Sequence, residues 1–147
     1  MRSAADSLAV LLAAVALAAA LLGGWRWWTV APSRAFWVLC RSAQALAAAD
    51  ALLAGVLFVA GFEPADGLFW LYALLPVAVS FVGEQLRVLS AQTVLDARGL
   101  ADAQAVGELP EEGQRSVVLA IVRREIGVMA LACLVIAFLA LRTLGTT

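Results

Sequence analysis

Four long apolar stretches, at about residues 8–24, 35–60, 68–89 and 117–141, constrain this chain more than any other feature. About 20 apolar residues at 1.5 Å rise cross a hydrocarbon layer of about 30 Å. None of the four alternates like a half-buried strand, and each is far longer than a strand. Apolar residues make up 64% of the 147, and charged residues only 14%. Water-soluble domains carry about 45–50% apolar and about 25% charged residues, and a chain of this size has too little interior to hide the excess. The expectation is one domain: an all-α transmembrane bundle of four helices, up-down-up-down, with the lipid bilayer as its solvent.

The connections carry the punctuation of helix ends. Gly23-Gly24-Trp25-Arg26-Trp27-Trp28 reads as the start of a short aromatic and basic loop, and Ser33 after Pro32 as an N-cap. The stretch from Gly61 to Gly67, with Glu63, Pro64 and Asp66, reads as a tight acidic turn. The third helix is expected to project beyond the bilayer to about Arg98, with Gly99 as its stop. The connection of about residues 90–116 is then cytoplasmic, and Pro110-Glu111-Glu112 opens the last helix, acids at its positive end. Leu8 to Leu22 could serve as a signal-peptide core. Arg2 alone, weakened by Asp6, makes a poor positive flank, so the segment is expected to stay as a span.

Arginine placement sets the expected orientation. Arg26, Arg34, Arg87, Arg98, Arg115, Arg123 and Arg124 fall in or beside the first and third loops, against Arg2 and Arg142 on the other side. By that excess of seven to two, those loops are expected in the cytoplasm and both termini outside. Trp25, Trp27, Trp28, Phe36 and Trp37 would form an inner aromatic belt, and Phe62, Phe69, Trp70 and Tyr72 an outer one.

Ionisable groups within spans are costly, so they are the candidate site. Arg41 and Gln44 in the second helix, Glu84 and Arg87 in the third, and Arg123, Arg124 and Glu125 in the fourth all fall about 10 Å inside the cytoplasmic boundary by helical rise. Glu84 is expected to face the bundle and accept hydrogen bonds from Arg41, Arg123 or Arg124, with Glu125 neutralising another arginine. The local excess is positive and would suit an anionic lipid headgroup, a phosphate or a carboxylate. The competing reading is structural: arginines snorkel to the interface, and an ion-paired layer sets helix register. Asp50 stands apart, deep in the outer half of the second helix and on the face opposite Arg41. It is read either as a hydrogen-bonded carboxyl in a helix contact, within reach of Tyr72, or as a proton-titrating group or partner contact. Ala47, Ala51, Ala54 and Gly55 around it would permit close backbone approach.

Other chemistry has little to stand on. With no His in the chain, His-ligated haem or zinc and most neutral-pH general-base chemistry are excluded. No metal or cofactor motif is present, nor a P-loop, HExxH or GxSxG pattern. The net charge of −1 gives no reason to expect a nucleic-acid partner. Cys40 and Cys133 are expected at different depths, as buried apolar side chains without a disulfide.

Phe36-Trp37, Arg41, Gln44, Tyr72 to Pro76, Glu84-Gln85-Leu86-Arg87 and the run Arg123 to Met129 together resemble small four-span integral membrane proteins of high-GC, actinobacterial-type bacteria. The resemblance implies the four-span fold and no activity. The expected function is non-enzymatic, an accessory or scaffold subunit of a membrane complex with a membrane-protein partner or further copies of itself. The alternative is a small transporter or channel for an anion, an anionic lipid or a proton-coupled solute.

Overall fold

The computed structural model describes residues 2–146, the side chain of Arg2 excepted. The chain forms α1 (Arg2–Thr29), α2 (Arg34–Val59), α3 (Leu68–Ala97), the short α4 (Ala103–Gly107) and α5 (Glu111–Thr143), with no strand among the described residues. The four long helices are each long and apolar enough to cross a membrane. α5 packs against α1 and α3, and α2 packs against α1 and α3.

Two helix seams have the same period. On α1 the buried positions Ala5, Ala9, Leu12, Ala16, Ala19 and Gly23 recur at alternating intervals of four and three. On α2 the series is Phe36, Cys40, Ala43, Ala47, Asp50, Ala54 and Leu57. This is the 3.5-residue repeat of helices that stay in contact over many turns. Small side chains let the backbones approach closely, the usual source of cohesion between helices in lipid. Three core clusters follow: Leu12 with Ala43, Ala47 and Ile136; Ala19 with Phe36, Cys40 and Ile126; and Ala5 with Leu57 and Phe69.

The first helix outruns its expected end. Gly23 and Gly24 do not open a loop, and α1 continues through the tryptophans to Thr29. The cause is packing. A Cβ on Gly23 would meet Phe36 at 2.4 Å and Ala130 Cβ at 2.7 Å, so the glycine makes a helix contact that no larger residue could. α1 stops instead where Val30 turns to φ 50° ahead of Pro32.

Other ends match their signals. Ser33 caps α2 by accepting a hydrogen bond from the Phe36 amide at 3.3 Å. Gly99, at φ 66°, follows α3, and the Leu100 amide donates back to the Leu95 carbonyl. That bond satisfies a carbonyl which the helix end would otherwise leave free. Pro76 lies buried inside α3, where the Ser80 hydroxyl donates to its carbonyl at 2.7 Å. The loop after α3 holds α4, capped by Asp102, which the sequence pattern did not suggest.

Two of the expected belt aromatics belong to the core. Phe36 is fully buried against Gly23, and Phe69 stacks edge-on to Phe62 and Trp70 beside Ala5 and Leu57.

Candidate functional site

The charged residues sort into two tiers rather than one layer. Cys40 Sγ and Cys133 Sγ lie 3.5 Å apart and fully buried as free thiols, so their positions on α2 and α5 are level. The expectation that the two cysteines sit at different depths is thereby corrected. α5 starts well before that level: its first turns run beside the end of α3, where Arg98 donates to the Ser116 hydroxyl at 3.0 Å. Arg123 therefore lies about 15 Å nearer the start of α5 than Cys133, whereas Arg41 is adjacent to Cys40.

The inner tier joins α2 to α3 around Glu84. Arg41 donates to Glu84 Oε1 at 2.7 Å and to Oε2 at 3.5 Å. Gln44 donates to Oε1 at 2.9 Å, and its own Oε1 accepts from Arg41 at 2.7 Å. Arg87, one turn along α3, donates through Nε to Oε2 at 2.9 Å. Three side chains thus occupy both oxygens of one carboxylate. Trp37, one turn before Arg41 on α2, carries Arg87 over its ring at 5.6 Å. The Arg41 side chain is 53% exposed and that of Glu84 23%, so the pair lies at the flank of the helices rather than sealed between them.

The turn of α3 explains why Glu84 meets α2. Gly83 faces α5, where a Cβ would come 3.0 Å from Ala132. The next residue is rotated by about 100°, which carries Glu84 round to Arg41 and Gln44. Of the three arginines expected to serve Glu84, Arg41 reaches it and Arg123 and Arg124 do not; Glu125 makes no ion pair among the described residues, so its expected pairing is corrected. The outer tier is held differently. Arg123 lies over the Trp27 ring at 4.5 Å, and Trp27 itself fits against Gly127 of α5. Arg124 is exposed. A guanidinium on an indole face within about 6 Å is a favourable placement for a cation that has left bulk water. No feature of the sequence assigned Trp27 or Trp37 an arginine partner. The run Trp25-Arg26-Trp27-Trp28 was a pointer in the sequence to a mixed aromatic and basic surface.

Asp50 is 4% exposed and its Oδ2 has no hydrogen-bond partner among the described residues. It occupies a seam position of α2 between Ala47 and Ala54. No hydrogen bond joins it to Tyr72 among the described residues, and the Tyr72 ring lies under Arg142 at 5.6 Å. No cluster of three or more acidic or cysteine side chains suited to a metal occurs among the described residues.

Comparison of the chain with family models, curated proteins and solved structures finds no match.

Proposed function

We propose that this chain is a multi-pass protein of a bacterial cytoplasmic membrane and serves there as an accessory or scaffold subunit of a larger membrane complex. Its four long helices run up-down-up-down, with both termini outside and the connections α1–α2 and α3–α5 in the cytoplasm. The observation that carries the scaffold reading is the saturation of Glu84. A carboxylate whose two oxygens already accept from Arg41, Gln44 and Arg87 has its acceptor capacity turned inward. It acts as a clasp between α2 and α3 rather than as a vacant receptor. The outward faces of α2 and α3 support the same reading. Leu52, Val56, Phe58, Leu71, Leu74 and Phe81 are exposed there, free to meet lipid or a neighbouring subunit.

Gentle-detergent purification tests the role: a companion protein should co-purify at fixed stoichiometry, and a lone monomer counts against it. Orientation is tested by single cysteines on a background lacking Cys40 and Cys133. A membrane-impermeant maleimide added to intact cells should label Ala65→Cys and spare Ala105→Cys; the reverse pattern inverts the topology.

Asp50 favours a second reading, a small transporter, because a buried carboxyl with an unpartnered oxygen is costly in an apolar seam. Proteoliposome flux lost in Asp50→Asn and retained in Glu84→Gln would support it; flux no greater than that of empty vesicles removes it.

A further inference from the structure

α3 and α5 leave between them an apolar groove of about 370 Å³, open to the outside of the bundle. Its walls are Ala78, Val82 and Leu86 on α3 and Val128, Leu131 and Val135 on α5, and its floor closes where Gly83 meets Ala132. That volume falls within the roughly 300–1,000 Å³ of small-ligand sites. No Asp or Glu lines it.

One charge stands at its end. Arg124, Val128, Leu131 and Val135 recur at intervals of four, three and four, which puts Arg124 on the groove side of α5, one turn nearer the helix start. Side chains on a helix lean toward its N-terminus, so Arg124 reaches away from the groove floor toward the headgroup region. It is exposed, and no hydrogen bond or ion pair holds it among the described residues. Arg123, rotated by about 100°, is taken by Trp27 on the α1 side. Glu125 is rotated the other way and is half-buried.

We propose that this groove holds one acyl chain of an anionic phospholipid whose headgroup phosphate pairs with Arg124. The groove alone selects nothing, since lipid tails are as apolar as the side chains that line it. Selection comes from the phosphate, which Arg binds with charge-assisted hydrogen bonds, while the groove sets where the chain lies. A zwitterionic lipid brings its own ammonium to the same place and gains less. The proposal rests on the bilayer location of the protein and not on its scaffold role.

The test is native mass spectrometry of the full chain in neutral detergent, titrated with dioleoyl phosphatidylglycerol, dioleoyl phosphatidylcholine or glycerol phosphate. Phosphatidylglycerol should bind about tenfold more tightly than phosphatidylcholine, the worth of one modest charge-assisted contact. Arg124→Gln should bring the two lipids to near equality. Val82→Trp or Leu86→Trp, each changing an exposed groove wall, should weaken phosphatidylglycerol by about tenfold. Arg34→Gln, at the same end of the helices but away from the groove, should bind as wild type. Equal lipid affinities, an unaltered Arg124→Gln protein, the same loss in Arg34→Gln, or competition by glycerol phosphate alone would each overturn the proposal. So would a dimer that Val82→Trp dissociates, because a second copy would then fill the groove. A chain released from membranes by alkaline carbonate overturns the bilayer reading and this proposal together; a retained chain without lipid preference overturns only the proposal.

Discussion

Gly23 and Gly24 are neighbours with opposite surroundings. A methyl on Gly23 runs into Phe36 and Ala130, whereas nothing lies within 4 Å of one on Gly24. Gly23→Ala should therefore cost about 1–3 kcal/mol, the range for overfilling a packed contact. Gly24→Ala should be neutral or gain up to about 1 kcal/mol from its better helix propensity. Unfolding of both variants in mixed micelles with a denaturing detergent measures the difference, and equal midpoints would remove the close contact. Asp50 makes the second residue-scale case. Replacing a buried group whose oxygen lacks a partner removes a penalty of about 1–3 kcal/mol. Asp50→Ala would extend a seam already made of alanines, so it should raise the unfolding midpoint. A fall in midpoint would reveal a partner for the carboxyl. The charged residues of this site were legible in the sequence because ionisable groups stand out in apolar spans. Their pairings were not, because a pairing depends on helix rotation: Glu84 faces α2 only because Gly83 faces α5.

At the scale of the element, the helices owe their cohesion to two different devices. α1 and α2 meet along small-residue seams, where many weak dispersion contacts accumulate. α2 and α3 are joined at their flank by the Glu84 clasp. Glu84→Gln removes the charge that both arginines share and should lower stability by about 1–3 kcal/mol. Arg41→Gln should cost less, since its half-exposed side chain already reaches outward. The double variant should lose less than the sum of the two, with a coupling of about 0.5–3 kcal/mol. Strict additivity in that cycle would mean that the clasp contributes nothing to stability. The ends of α2 and α3 followed from local chemistry, Ser33 at one and Gly99 at the other. The end of α1 did not, because a glycine pair is an equally good sign of a turn and of a close helix contact. Only the presence of Phe36 and Ala130 across the gap separates the two.

At the scale of the whole molecule, four helices are long and apolar enough to cross a membrane, and a helix is the form in which a backbone segment can satisfy its own polar groups in lipid. This much the amino-acid pattern determined: how many helices are long enough to cross, where most of them begin and end, and which side chains are expensive to bury. The tertiary structure decided the vertical offset between helices. Sliding α5 along its axis brings Cys133 level with Cys40, and the same slide carries Arg123 and Arg124 out of the tier of Arg41 and Glu84. Hydropathy cannot register such a slide, because every position in a run of alanine, leucine and valine is about equally apolar. The offset is settled by steric fit, where Gly23 admits Phe36, Gly83 admits Ala132 and Gly127 admits Trp27. Those contacts join residues far apart in the chain, and no local pattern encodes which of them will meet.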